Sequence, residues 1–262
     1  MKKSKHLVRP EKKWVYIVYF ILRLLVVAAM VRAIMLGNYE NAFVCLLALA
    51  LFLLPALAER ILRIELPNTM EIIILCFIFA AEILGELECY YLKYPFWDTM
   101  LHTTSGFLFA AVGFSLVDIL NQNEKLKFDL SPIFMAVVAF CFSMTIGVLW
   151  EFFEFGADQI FRTDMQKDTV LQWIASTELD PNRSNTSVVI DGITEVVVNG
   201  ERLPFNGYLD IGLIDTMQDL LVNFVGAVVF SVIGFFYVKH RGKGRLAKQF
   251  IPTLRKEETD EE

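Results

Sequence analysis

Residues 132–155 read PIFMAVVAFCFSMTIGVLWEFFEF, and the first nineteen of them, through Trp150, carry no charge. A helix of that length rises about 30 Å, the hydrocarbon thickness of a bilayer. Strands do not fit a run this long, because backbone groups in lipid must be satisfied within the segment itself. The reading is a membrane-spanning helix whose first acids, Glu151 and Glu154, arrive at its far end.

The rest of the chain repeats this pattern. Its 262 residues are 55% hydrophobic and 13% aromatic, with a mean hydropathy of +0.49. Soluble chains lie nearer 45–50% apolar, so the excess faces lipid. The expected fold is an all-α polytopic bundle of about six spans, at residues 14–36, 41–58, 69–92, 99–120, 132–155 and 215–238. A basic segment, 1–13, precedes the bundle and a charged tail, 239–262, follows it. The first apolar run is too long for a signal peptide, is interrupted by Arg23 and lacks a small-residue cleavage pattern, so it reads as an uncleaved span.

Charge sets the orientation. With the N-terminus inside, the inner segments carry seventeen Lys and Arg and the outer ones five, a positive-inside bias that puts both termini in the cytoplasm. Basic flanks beside spans serve orientation and lipid contact, and no segment reads as a nucleic-acid groove. The four cysteines show no CxxC spacing and read as small apolar fillers.

The long polar interval 156–214 lies outside in this topology. Within it, SVVIDGITEVVV (187–198) places two β-branched runs about Asp191-Gly192, which predicts a β-hairpin turning there. Intervals this long usually carry a role, as a cap or as a surface for an envelope protein.

Polar residues enter the apolar runs at regular spacing. In YPFWDTMLHTTSGF (94–107), Asp98 and His102 stand one turn apart, followed on the same face by Gly106, Ala110 and Gly113. In the fifth span Ser143, Gly147, Glu151, Glu154 and Asp158 share a face. In the sixth, Asp215, Asp219, Asn223 and Gly226 do. All three stripes turn from acids at the outer end to small residues further in, which allow close helix approach. Glu82 and Glu86 add an interfacial pair, and Trp97 and Trp150 read as belt or packing aromatics.

Ionisable groups inside a membrane are costly and face the bundle interior or a wet cavity. A cluster of this kind shares protons, pairs with Arg32, or binds a cation. As a metal site, Asp98, His102, Asp219, Asp215 and Asn223 are the candidate ligands, with Glu151 or Glu154 as the general base. Imidazole with carboxylates suits zinc or manganese, and an all-oxygen subset suits magnesium. For Asp98, Asp158 and Asp215 the alternative is helix-end capping or solvation.

The elements YPFWDTMLHTTSGF, GVLWEFFEFGADQ (147–159) and DIGLIDTMQDLLVNFVGA (210–227) together resemble the YjdF-like family of predicted bacterial inner-membrane proteins. That resemblance implies a multi-helix protein of the bacterial cytoplasmic membrane and implies no reaction. A looser resemblance is to VanZ-like proteins, through Asp98-x-x-x-His102, a later Glu151 or Glu154, and Asp219, Asn223 and Gly226. The VanZ-like glutamate is often followed by Gln three residues on, where this chain has Glu154.

Three functions remain open at this level. The first is a divalent-metal-dependent enzyme acting on an envelope lipid or lipid-linked precursor. The second is a proton- or cation-coupled transporter, although neither inverted repeats nor a midplane cluster is visible. The third is a structural or partner-binding membrane protein in which the polar network fixes packing.

Overall fold

A computed structural model describes residues 12–121, 130–240 and 244–254. The basic N-terminal residues before Lys12, the 122–129 link with Lys125 and Lys127, and the acidic C-terminal end lie outside the described residues. The chain divides into two compact units. One comprises residues 1–147 and 222–262, the other residues 148–221.

The first unit begins with α1 (Lys13–Met35). It ends where Gly37, at φ +73°, turns the chain, and Asn38 then caps α2 (Tyr39–Leu51) by accepting from the Asn41 N–H. Proline at the start of α3 (Leu54–Leu62) breaks the run, as a residue without an N–H does. The two helices together form one apolar stretch, Tyr39–Leu62. A short strand β1 (Ile64–Glu65) leads to α4 (Asn68–Ile78). Lys12 fastens this corner: its ammonium donates to Glu59 at 2.6 Å and to Glu71 at 2.7 Å.

Among the described residues, five helical stretches are long and apolar enough to cross a membrane: α1, α2 with α3, α6 (Trp97–Asn121), α7 (Pro132–Phe161) and α8 (Leu213–Lys239). The expected span 69–92 takes a different form. After α4 the chain widens into a π-helix, Phe79–Leu87, closed by the Glu88 N–H on the Ile83 carbonyl. Cys89, at φ +58°, then redirects it into α5 (Tyr90–Lys93). Glu82 and Glu86 both lie on the π-helix, a form found mostly in short pieces at functional positions.

Small residues let α6, α7 and α8 meet within this unit. A Cβ at Gly106 would collide with the backbone oxygen of Asn223, and one at Gly226 with that of Thr103. The Ser143 hydroxyl donates to the Gly106 carbonyl at 2.7 Å. The core between the helices holds Leu108, Phe114, Met135 and Phe230.

The C-terminal segment is not simply a charged tail. After α8 it returns to the bundle as a 3-10 turn, Ala247–Gln249, burying Ala247, Phe250 and Ile251 in the same core. It ends as β8 (Thr253–Leu254), paired antiparallel with β1. Irregular backbone of this kind survives in a membrane protein where protein covers it.

The second unit holds the end of α7, the start of α8 and the interval between them. Strands β2 (Val170–Leu171) and β7 (Tyr208–Leu209) pair, as do β3 (Trp173–Ser176) with β4 (Val188–Asp191) and β5 (Val197–Val198) with β6 (Glu201–Arg202). The tight hairpin turns at Asn199-Gly200, not at Asp191-Gly192. Both dipeptides suit such a turn. Asn199 and Gly200 adopt positive φ together, however, whereas β4 has its partner upstream in β3, with Trp173 facing Asp191.

Candidate functional site

The side chains buried in the second unit are unusual. Among the described residues they are Glu151, Glu154, Asp180 and Asp219, joined by Ala157 as the single apolar side chain. A region of this size normally buries hydrocarbon, and isolated ionised carboxylates are too costly to bury without partners.

Three of these acids converge. Glu151 and Glu154 are separated by three residues on α7, which puts them on one face. Asp219 meets them from the second turn of α8. Each offers a carboxylate oxygen, and the three oxygens lie within 4.8 Å of one another. Exposures of 4%, 8% and 4% mark the trio as enclosed. Ligand oxygens around an octahedral ion with bonds of about 2.1 Å stand about 3–4 Å apart, so the spacing fits one divalent cation with little movement.

Glu154 is held in place. The indole N–H of Trp150, one turn earlier, donates to its Oε1 at 2.9 Å. Trp150 therefore does more than pack against lipid, and a tryptophan four residues before a glutamate on one apolar helix was the signal available for it.

The other expected site residues have distinct placements. Asp98 and His102 do pair one turn apart on α6, with Nε2 of His102 3.6 Å from the Asp98 carboxylate. Asp215 accepts the Lys167 backbone N–H at 2.8 Å and anchors the interval to α8. Asn223, in the first unit, sits between Gly106 and Gly147 with its amide 3.5 Å from the Met144 sulfur, a packing position. Asp158 accepts the Thr163 hydroxyl and the Met165 and Gln166 N–H groups, which end α7. Asp210 accepts the Thr169, Gly212 and Ile214 N–H groups where α8 begins. These helix-end acids act as structural acceptors for the turns.

Arg32 was one of the three ways to balance the acids. It is engaged instead by Glu88, at 2.6 Å, and Arg23 lies over the Tyr19 ring at 4.3 Å.

The fold and the site define a helical polytopic membrane protein with carboxylates gathered in the unit that links its last two long helices. The chain belongs to the family described as "Predicted membrane protein (DUF2238)", whose family-wide sequence pattern matches residues 17–240. It is also similar to an uncharacterized protein of Thermotoga maritima, with 27% identity over 106 residues. That match covers 40% of this chain and 53% of the relative, so the likeness spans about half of the relative's length. No solved structure matches the chain.

Proposed function

We propose that the protein binds a divalent cation through Glu151, Glu154 and Asp219 and uses it to act on a lipid or lipid-linked precursor of the cell envelope. The observation that carries this reading is the trio itself: three enclosed carboxylates with oxygens within 4.8 Å of one another. A dication offsets their mutual repulsion and the cost of their burial together. An all-oxygen set of this kind suits magnesium or manganese, and recruitment of His102 would shift the preference toward zinc.

In this role Glu151, Asp219 and one oxygen of Glu154 would hold the ion, which would supply a water acidic enough to serve as a nucleophile. Glu154, oriented by Trp150, would also be the general base. Support for the lipid class comes from the position of Glu151 and Glu154 toward the end of α7 and of Asp219 near the start of α8, where headgroups would be met. The resemblance of the motifs to YjdF-like and VanZ-like proteins belongs to the same proposal. So does a bacterial cytoplasmic membrane location, with both termini inside and the 156–214 interval outside.

Metal analysis by mass spectrometry on detergent-purified protein tests the reading, with Glu151→Gln, Asp219→Asn and His102→Ala beside the wild type. One metal per chain, lost in the first two variants, supports it, and retention or loss in His102→Ala decides whether the imidazole belongs to the set. Reloaded protein then goes to mass spectrometry of envelope lipid extracts, where wild type depletes a species that the Glu154→Gln protein leaves. Wild type without metal, and unable to take it up, leaves a proton-sharing packing network as the account.

A further inference from the structure

A cavity of about 280 Å³ opens on the side of the first unit, between α4, α6, α8 and the returning C-terminal segment. Its wall is hydrocarbon. Phe107 and Phe250 meet edge to face across 4.9 Å, and Ile73 closes the α4 side. Thr103 and Thr104 line it too, yet both hydroxyls are spent on their own helix, each donating at 2.7 Å to the carbonyl four residues back. Gly226 forms the back wall: a Cβ there would meet the Thr103 carbonyl, so α6 and α8 touch at the backbone behind the recess.

Of the lining side chains Val229 is the exposed one, at 48%, and we take it as the mouth. Val225, Val232 and Phe236 are exposed to the same degree. Together these four follow the i, i+4, i+7, i+11 spacing of one helix face. On a membrane-spanning helix that face is the one lipid covers, so the recess is continuous with the bilayer-facing surface. A dry apolar cavity takes apolar ligands. Ligand pockets usually run from about 300 to 1,000 Å³, so this one has room for part of a single chain and not for a whole lipid.

Its position along α6 gives a direction. Thr103 follows His102 directly, and Phe107 lies about 7.5 Å beyond His102 along the axis. We infer that this recess holds one hydrocarbon chain of a membrane lipid, with the lipid's polar end toward Asp98 and His102. The chain slot stands on the recess alone. The step from bound lipid to substrate rests on the proposed cation-dependent activity.

The test uses the full-length protein in nanodiscs containing phosphatidylglycerol with a diazirine half-way along one acyl chain. After photolysis, labelled peptides are mapped by mass spectrometry. The slot predicts label concentrated on the peptides carrying Phe107 and Val229, above the level on the exposed face of α1. Val229→Trp, which fills the mouth from the lipid side, reduces that label by roughly ten-fold, the factor carried by two buried methylenes. Val229→Ala retains it. Recess labelling no stronger than on α1 in the wild type overturns the inference without recourse to any variant, and label insensitive to Val229→Trp in a folded protein does so as well. The two proposals separate cleanly. Glu151→Gln and Asp219→Asn are expected to lose metal and keep the label, whereas Val229→Trp loses label and keeps metal.

Discussion

The indole N–H of Trp150 donates to Glu154 Oε1 across 2.9 Å, one turn apart on α7. This bond orients one carboxylate of the trio that also holds Glu151 and Asp219. Partners that orient a ligand in this way are worth about 10–100-fold in metal affinity. Trp150→Phe keeps the ring and removes the donor, so metal affinity falls by about that factor while the protein stays folded. Isothermal titration with manganese reads it. Unchanged affinity would reduce Trp150 to a packing residue.

Asn223 separates packing from ligation. A Cβ at Gly147 would meet the Asn223 side-chain amide, which can rotate away, whereas one at Gly106 meets the Asn223 backbone oxygen, which cannot. Gly106→Ala is therefore expected to lower the thermal midpoint in detergent more than Gly147→Ala, within the range of about 1–3 kcal/mol typical of overpacking. Equal effects would show that the α6–α8 approach is looser than described.

Two aspartates in the interval between α7 and α8 respond to acid in opposite directions. The Ser184 hydroxyl and the Asn182 and Ser184 N–H groups hold the Asp180 carboxyl below its ordinary value of 3.8. Its folded state thus binds fewer protons, and its stabilisation is full above 3.8 and lost as pH falls through the lower folded value. Asp168 is pushed up by burial and then by the charges of Asp164, Asp210 and Asp158. Its contribution is greatest in acid and declines as pH rises from 3.8 toward the raised value. Hydrogen exchange should show the 177–187 loop opening in acid, an effect absent in Asp180→Asn. Asp168→Asn should slow exchange near Gly212 at neutral pH. Acid-insensitive exchange at 177–187 in the wild type would contradict the first assignment.

Orientation is tested by labelling. In a cysteine-free background, Glu195→Cys reacts with a membrane-impermeant maleimide added outside intact cells, and a cysteine at residue 3 reacts only after lysis. The reverse pattern would invert the proposed topology.

Much of this was legible in the sequence because hydropathy over twenty residues reports directly on a bilayer. The acid stripes were legible for the same reason: Glu151, Glu154 and Asp219 interrupt runs that are otherwise apolar. What hydropathy does not carry is hydrogen-bond register. The shift to i, i+5 bonding at Phe79–Leu87 leaves composition unchanged, so the third span looked like any other. The choice between Asp191-Gly192 and Asn199-Gly200 as the hairpin turn depended on β3, a strand too short and too distant to be seen as a competitor. Ala247, Phe250 and Ile251 did carry the i, i+3, i+4 spacing of a buried face, but the lysines and arginines around them made the segment read as tail. Residue type did not reveal the particular neighbours of Asn223 and Asp215, the Met144 sulfur and the Lys167 N–H, because these come from distant parts of the chain.

The most direct test is a manganese titration followed by electron paramagnetic resonance on purified, metal-stripped protein. The account predicts one bound ion per chain, with binding abolished in Glu151→Gln and Asp219→Asn and retained in Gly147→Ala. Binding that persists in both carboxylate variants, or no binding in the wild type, would contradict it.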